Sequence, residues 1–384
     1  MRMRQLKKIL IIAFRILVGL LFIFSGLIKA NDPLGLSYKM DEYFHVLHLT
    51  FLVPAALTFA IIMIAFEIIA GVALLLGFKM RVFGPLLLIL IIFFTFLTGF
   101  SYLSGAITEC GCFGDCIPLT AGMSFTKDLI LLVLIFFLYK QRRTIKPFLG
   151  GFFTWLLMIA VVVLSFGFQR YVLRHLPIVD CLPYKIGNNI PQLMKVPLGA
   201  TPDQYEMVFT YEKNGEEKEF KESEIPWEDT AWHFVSREDK LIKKGNAQPV
   251  IADFSISDYA GNSFTQQILN KEGYTFLFFV KKMSDAENGW QKKMLHLQAD
   301  CERFDIPIYG ITSSIQKKVD LFKQKNKLTF PFLQMDGVVI KTAARSNPCL
   351  ILLKEGVIEG KWSYMDLPSG AVPSPKDGSL ILKY

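Results

Sequence analysis

The chain has 384 residues, 52% of them hydrophobic and 20% charged, with a mean hydropathy of +0.36 and a formal charge of +8. Soluble domains carry about 25% charged residues, so this chain is too apolar to be wholly soluble and far too apolar to be disordered. The charge excess is confined to one half: residues 1–170 hold 15 Lys+Arg against 7 Asp+Glu, and residues 171–384 hold 27 of each. A nucleic-acid partner is not expected, because such a binder needs its basic surface on a solvated domain.

A helix needs about 20 apolar residues to cross the ~30 Å hydrocarbon layer of a bilayer. Five stretches qualify, at about 9–28, 51–77, 82–104, 121–139 and 148–169. Arg15 and the length of the first stretch argue for a retained helix rather than a cleaved signal peptide. Ten basic and no acidic residues flank the spans on one side: Arg2, Arg4, Lys7, Lys8, Lys79, Arg81, Lys140, Arg142, Arg143 and Lys146. The opposite loops, 29–50 and 105–122, hold two basic and five acidic residues. Basic loops stay in the cytoplasm. The N-terminus is therefore expected inside a bacterial inner membrane, with residues 171–384 in the periplasm. The loop carrying Cys110, Cys112 and Cys116 shares that disulfide-permissive side. The expected layout is a four-helix domain over 1–147, a fifth span over 148–170, a β-rich connector over 171–250 and an α/β domain over 251–384.

In the connector, Asn214-Gly215 between strand-like runs predicts a β-hairpin. From about residue 250 strand and helix alternate. Strands are expected at 274–280, 306–312, 330–334, 349–354 and 357–362, and helices at 285–303 and 314–325, with 363–384 loop-like. The runs Phe276-Leu-Phe-Phe-Val280, Phe330-Pro-Phe-Leu-Gln334 and Asn347-Pro348-Cys349-Leu-Ile-Leu-Leu-Lys354 resemble the thioredoxin fold in its peroxiredoxin-like branch. The resemblance implies that Pro348 is the family's cis proline. It also implies a redox Cys-x-x-Cys near Lys281–Asn288, where this chain has no cysteine. Cys349 lies beside that site, but one thiol cannot form an intramolecular disulfide, so a docking role is preferred to catalysis.

The membrane half carries Arg15-Ile-Leu-Val-Gly19 through Ser25-Gly26-Leu-Ile-Lys29, then Glu67-Ile-Ile-Ala-Gly71 through Gly77, then Glu109-Cys110-Gly111-Cys112-Phe113-Gly114-Asp115-Cys116. Together these resemble the DoxX/MauE-like membrane proteins, on the MauE side of the group. With Asp180-Cys181-Leu-Pro-Tyr-Lys-Ile-Gly187 the chain looks like a Bacteroidota version of that architecture. The resemblance implies a part in maturing disulfide-rich exported proteins.

Three readings of the cysteines stay open. Cys110 and Cys112 flank a single glycine, and a disulfide closed over one residue is strained and exchanges readily. That suits thiol–disulfide exchange, with Cys116 and Cys181 as further candidate thiols and electrons leaving through Cys112 or Cys116. By analogy with other four-helix disulfide oxidases, the acceptor would be a quinone. Alternatively, a permanent bond such as Cys116 with Cys181 braces the loop. Zinc or an iron–sulfur centre is disfavoured by export and by missing histidines, so no metal is expected. Cys301 falls on an apolar helix face and reads as core.

Charges inside a bilayer are costly. Arg15 and Glu67 are expected at similar depth and so to pair, in a structural role rather than a proton relay. Lys29 at the boundary is expected to snorkel, and Gly19, Gly26, Gly71 and Gly77 to permit close helix packing. His45 and His48 are read as part of an interfacial amphipathic helix with Tyr38, Tyr43 and Phe44. The leading hypothesis is a membrane thiol–disulfide redox protein that meets an exported client. Its rival is a non-catalytic membrane anchor whose thioredoxin-like domain binds a partner. A third is a lipid or small-molecule binder using the cavity between the first two spans.

Overall fold

A computed structural model describes residues 2–384 apart from 106, 108–110, 112, 198, 202–203, 214, 226, 228, 230, 244 and 246. Among the described residues five helices are long and apolar enough to cross a membrane. They are α1 (Arg2–Asn31), α3 (Ala56–Leu76, entered through a 3-10 turn at Thr50–Ala55), α4 (Met80–Ser104), α5 (Ala121–Lys140) and α6 (Gly151–His175). The N-terminal half is thus a multi-pass membrane domain. Between α1 and the 3-10 turn lies α2 (Pro33–Val46), started by Asp32, whose carboxylate accepts from the Gly35 N–H at 3.1 Å.

The antiparallel α1–α3 pair is held close by small residues. A Cβ on Gly71 would lie 2.8 Å from the Gly19 carbonyl oxygen, so only glycine lets these backbones meet. Gly77 has a different role: at φ +69° it ends α3 in the left-handed conformation.

The register of that pair corrects the expected Arg15–Glu67 contact. Arg15 lies opposite the last turn of α3 and donates to the carbonyls of Leu74 (3.1 Å) and Leu75 (2.9 Å). These are carbonyls of the last turn, where the helix leaves acceptor capacity free; Leu74 also accepts from the Gly77 N–H at 3.2 Å. Glu67 lies about two turns further along α3, roughly 10–12 Å away at 1.5 Å per residue. It pairs instead with Lys29 at 2.6 Å. Lys29 is 3% exposed, so it does not snorkel. The expectation failed because α1 runs past the end of α3: it extends from Arg2, and the packing sets Arg15 against the last turn of α3 rather than against its middle.

The connector forms one antiparallel sheet of order β2-β1-β3: β1 (Gln204–Lys213), β2 (Glu216–Lys221) and β3 (His233–Lys243). The expected hairpin is present, with Lys213 opposite Glu216 and Gly215 at φ +84°. Asn214 lies outside the described residues. The segment before this sheet belongs with the next domain: Tyr184, and Ile190 at the start of a short helix α7 (Ile190–Leu193), share a core with Ile251, Phe254 and Ile256.

After α8 (Thr265–Leu269) comes a five-stranded sheet of order β6-β5-β4-β7-β8. The strands are β4 (Tyr274–Phe279), β5 (Ile308–Thr312), β6 (Phe332–Gln334), β7 (Cys349–Lys354) and β8 (Val357–Ser363). β4, β5 and β6 run parallel, while β7 and β8 are antiparallel. Central β4 is apolar on both faces because both are covered. Phe276 and Phe278 face α9 (Gln291–Arg303) and α10 (Gln316–Asn326), which contribute Met294, Leu297, Cys301 and Phe322. Leu277 and Phe279 face the core of Tyr184, Ile190 and α11 (Gly337–Ala343). The Asn347–Pro348 bond is cis. Strand order and cis proline make this a thioredoxin-like domain, as expected. The end of the chain differs from expectation: β9 (Gly370–Pro373) and β10 (Leu380–Lys383) pair as a hairpin where the sequence predicts loop.

Candidate functional site

The site lies where α1 ends. Cys116, in a 3-10 turn at Gly114–Cys116, is bonded to Cys181, 65 residues later, with Cα atoms 4.9 Å apart. Gly111 and Gly114 take φ of +64° and +59°, and Gly114 N–H donates to the Gly111 carbonyl at 3.0 Å, which turns the loop back toward α1. On the other side, Asn31 holds the backbone of Val179 at both its N–H (3.1 Å) and its carbonyl (2.8 Å), which fixes the segment leading to Cys181. Cys110 and Cys112 lie outside the described residues. The pairing that forms is the one named by the bracing reading. Both sulfurs sit in half-buried residues, and the small cavity against them is lined by Asn31, Asp32, Asp115 and Asp180.

Each bonded cysteine follows an aspartate, and each aspartate is held by a buried cation of the thioredoxin-like domain. Arg345, 5% exposed, donates from Nε to Asp32 at 2.7 Å and from Nη2 to Asp115 at 2.5 Å. Its Nη1 donates to the Lys341 carbonyl at 2.6 Å, so the guanidinium is fixed on three sides. Burial alone would lower its pKa, but Asp32 and Asp115 outweigh burial and hold it above its ordinary value. Lys361 donates to Asp180 at 2.7 Å and to the Tyr184 carbonyl at 3.1 Å.

The same face of the thioredoxin-like domain touches α2. Lys281, next after Val280 beyond β4, donates to the Tyr38 hydroxyl at 3.0 Å. Lys281, Lys341 and Arg345 all lie within 6 Å of the Tyr38 ring centroid, at 5.7, 5.2 and 5.3 Å. Lys281 opens the segment where the thioredoxin resemblance would put redox thiols, and Arg345 meets it over the Tyr38 ring. Here that edge rests on the membrane domain. Cys349, first residue of β7, pairs with Phe279 and is fully buried. Burial pushes its thiol up to about 11. Cys301 is core, as expected, and burial pushes it up to about 12. Neither is a ready nucleophile at neutral pH.

One turn deeper along α1, a second cavity lies between α1, α3, α4 and α5, lined by Ser25, Lys29, Glu67, Phe113, Lys127 and Asp128 among others. Lys127 pairs with Asp128 at 2.6 Å, and Asp128 accepts from Thr98 at 3.0 Å. The loop residue Phe113 lies 5.3 Å from Lys127 Nζ, closing the cavity beneath the cysteine loop. Among the described residues no group of three His, Cys, Asp or Glu could hold a metal ion. His45 lies 3.4 Å from Asp41, while His48 sits past the end of α2 at φ +58°, so the two histidines do not share a helical face. Tyr43 is buried rather than interfacial, its hydroxyl 2.8 Å from Ser101.

The reading from sequence missed Arg345, Lys361, Asp32 and the role of Lys127–Asp128. One signal was present: an Asp-Cys pair occurs at 115–116 and at 180–181, although a third, Asp300-Cys301, has its cysteine in the core. Nothing local marks Arg345.

A helical membrane domain with a cysteine loop, capped by a thioredoxin-like domain without its thiol pair, defines the class. Residues 7–141 match the family described as methylamine utilisation protein MauE, so the N-terminal part is a MauE-like membrane domain. Residues 205–244, the three-stranded connector sheet, match a domain of unknown function, DUF8463. Protein TlpB of Flavobacterium psychrophilum is 33% identical over 135 residues. That match covers 34% of this chain and 37% of the relative, so the chain spans well under half the length of that curated relative. Two solved structures are similar at a TM-score of 0.23. The thioredoxin domain of a thiol-disulfide oxidoreductase from Bacteroides vulgatus is 19% identical, covering 28% of this chain and 81% of that one. The bacterioferritin comigratory protein of Xanthomonas campestris is 17% identical, covering 30% and 82%. The thioredoxin-like assignment rests on strand order and the cis proline rather than on these.

Proposed function

We propose that the chain is an inner-membrane thiol–disulfide exchange protein for exported clients, with its N-terminus in the cytoplasm and its cysteine loop and thioredoxin-like domain in the periplasm. The observation that carries this is the half-buried Cys116–Cys181 bond at the junction of the two domains. A client dithiol passes two electrons and two protons to it: the client becomes a disulfide, and Cys116 and Cys181 become thiols. Reoxidation passes two electrons and two protons to a lipid-soluble acceptor of the quinone class. Cys110 and Cys112 relay thiol equivalents between client and bonded pair. The ten basic residues on one side of the spans support the orientation. The test is mixed-disulfide trapping with Cys110, Cys112, Cys116 and Cys181 each changed to Ser. A client caught by at least one variant supports exchange; no adduct from any variant rejects it.

The alternative is a non-catalytic anchor in which Cys116–Cys181 is a permanent brace. The two buried ion pairs beside the bond favour it, since they hold the domains together without any redox step. Under that reading, protein with all four cysteines changed to Ser keeps its function in cells.

A further inference from the structure

The thioredoxin-like domain poses a question: it has the fold of a redox domain, lacks the thiol pair, and yet sets the edge where that pair would be against α2, with two of its cations on the aspartates beside the Cys116–Cys181 bond. The charges around those cysteines suggest its contribution. Asp32 stands at the end of α1, Asp115 in the cysteine loop and Asp180 in the segment after α6, and all three line the cavity at the sulfurs. That cavity's lining contains no cation. Three carboxylates beside two thiols disfavour the thiolate, because like charge raises a thiol's pKa. The thiolate is the species that exchanges. Two cations answer the carboxylates, and both come from the thioredoxin-like domain: Arg345 on Asp32 and Asp115, and Lys361 on Asp180. Both side chains are nearly water-free, at 5% and 4% exposed, so solvent screens their charges little.

We infer that the thioredoxin-like domain completes the thiol site of the membrane domain by supplying Arg345 to the Cys116 side and Lys361 to the Cys181 side, so that the reduced pair exchanges at neutral pH. Arg345 and Lys361 are positioning residues: they act through Asp115 and Asp180 and touch no client. This rests on the exchange reading for its biological meaning, but its measurement does not.

Full-length protein in lipid nanodiscs, reduced with dithiothreitol, is alkylated with iodoacetamide over a pH series, and each cysteine is read separately by mass spectrometry. Arg345→Met is expected to lower the alkylation rate of Cys116 at neutral pH about tenfold, equivalent to one pKa unit. Cys181 should move less. Lys361→Met is expected to do the reverse. Asp115→Asn added to Arg345→Met should restore Cys116, and Arg345→Lys should leave it near wild type. A merely mechanical tie between domains would not be rescued by Asp115→Asn, since that variant restores no bond. An unchanged Cys116 profile in Arg345→Met, or a slowed one that Asp115→Asn fails to relieve, overturns the proposal. Should Arg345→Met not accumulate folded, Asp115→Asn alone decides: faster alkylation of Cys116 supports it, and an equal or slower rate rejects it. If these profiles move as stated while no client is ever trapped, the exchange reading falls and the charge assignment stands. If clients are trapped and the profiles do not move, the reverse holds.

Discussion

Arg345 and Asp115 are 230 residues apart in sequence and meet at 2.5 Å, one residue from the disulfide-bonded Cys116. The contact joins the thioredoxin-like domain to the membrane domain through a guanidinium that is almost wholly buried. Removing one partner of such a pair leaves an uncompensated charge, which costs about 3–5 kcal/mol. Arg345→Ala is therefore expected to lower the thermal midpoint of the full-length protein by several degrees and to expose the domain junction to limited proteolysis. Arg345→Lys should recover only part, because a single ammonium cannot span Asp32 and Asp115 as the planar fork does. Midpoints equal to wild type would show that the junction is held elsewhere.

The Lys29–Glu67 pair supports a double-mutant cycle. Lys29→Met and Glu67→Gln should each destabilise the protein by roughly 3 kcal/mol, and the double variant should cost less than their sum. Arg15→Met combined with Glu67→Gln should instead be additive, since Arg15 donates to the Leu74 and Leu75 carbonyls and Glu67 pairs with Lys29. Unfolding in mild detergent reads both cycles. Coupling between Arg15 and Glu67, with none between Lys29 and Glu67, would reverse the assignment.

Gly71→Ala places a methyl 2.8 Å from the Gly19 carbonyl oxygen, with backbone on both sides that cannot swing away. The expected loss is about 1–3 kcal/mol, the usual cost of overpacking. Gly151→Ala, in the first turn of α6, meets nothing within 4 Å and should be near neutral, which makes it the control.

The two buried thiols give a pH dependence with a definite sign. Cys349 and Cys301 are raised from an ordinary 9.0 to about 11 and about 12 by burial. Unfolded, they ionise at lower pH than folded, so above pH 9 the unfolded state holds fewer protons and stability falls. Their contribution is fully present below pH 9 and is lost as pH rises through about 11 and 12. Chemical denaturation at rising alkaline pH should show this decline, and Cys301→Ala with Cys349→Ala should flatten it. An unchanged slope in that double variant would rule the thiols out as its cause.

Much of this architecture was legible in the residues themselves. Five spans follow from runs of Leu, Ile and Phe, the connector hairpin from Asn214-Gly215, and the position of the cis proline from Asn347-Pro348-Cys349. The contacts that make the site were not legible, because each depends on geometry between distant segments. Arg15 and Glu67 counted as within reach of each other from the span ends, but the packing of α1 on α3 sets Arg15 against Leu74 and Leu75. Lys29 looked like a boundary lysine because only the fold supplies Glu67 beside it. Arg345 sits in a short connection with no pattern around it, and its meaning comes from Asp32 and Asp115. The last hairpin, β9–β10, was hidden because two four-residue strands separated by Pro, Lys, Asp and Gly carry almost no periodic signal.

The central claim is that the Cys116–Cys181 bond opens and closes in use. Acid quenching of living cells, followed by differential alkylation of reduced and oxidised thiols, measures its state directly. Exchange requires that a reduced fraction of the pair is present and that it grows when a dithiol reductant is supplied outside the inner membrane. A pair found wholly oxidised under every condition, in cells where the Cys116→Ser, Cys181→Ser double variant works as well as wild type, would contradict it.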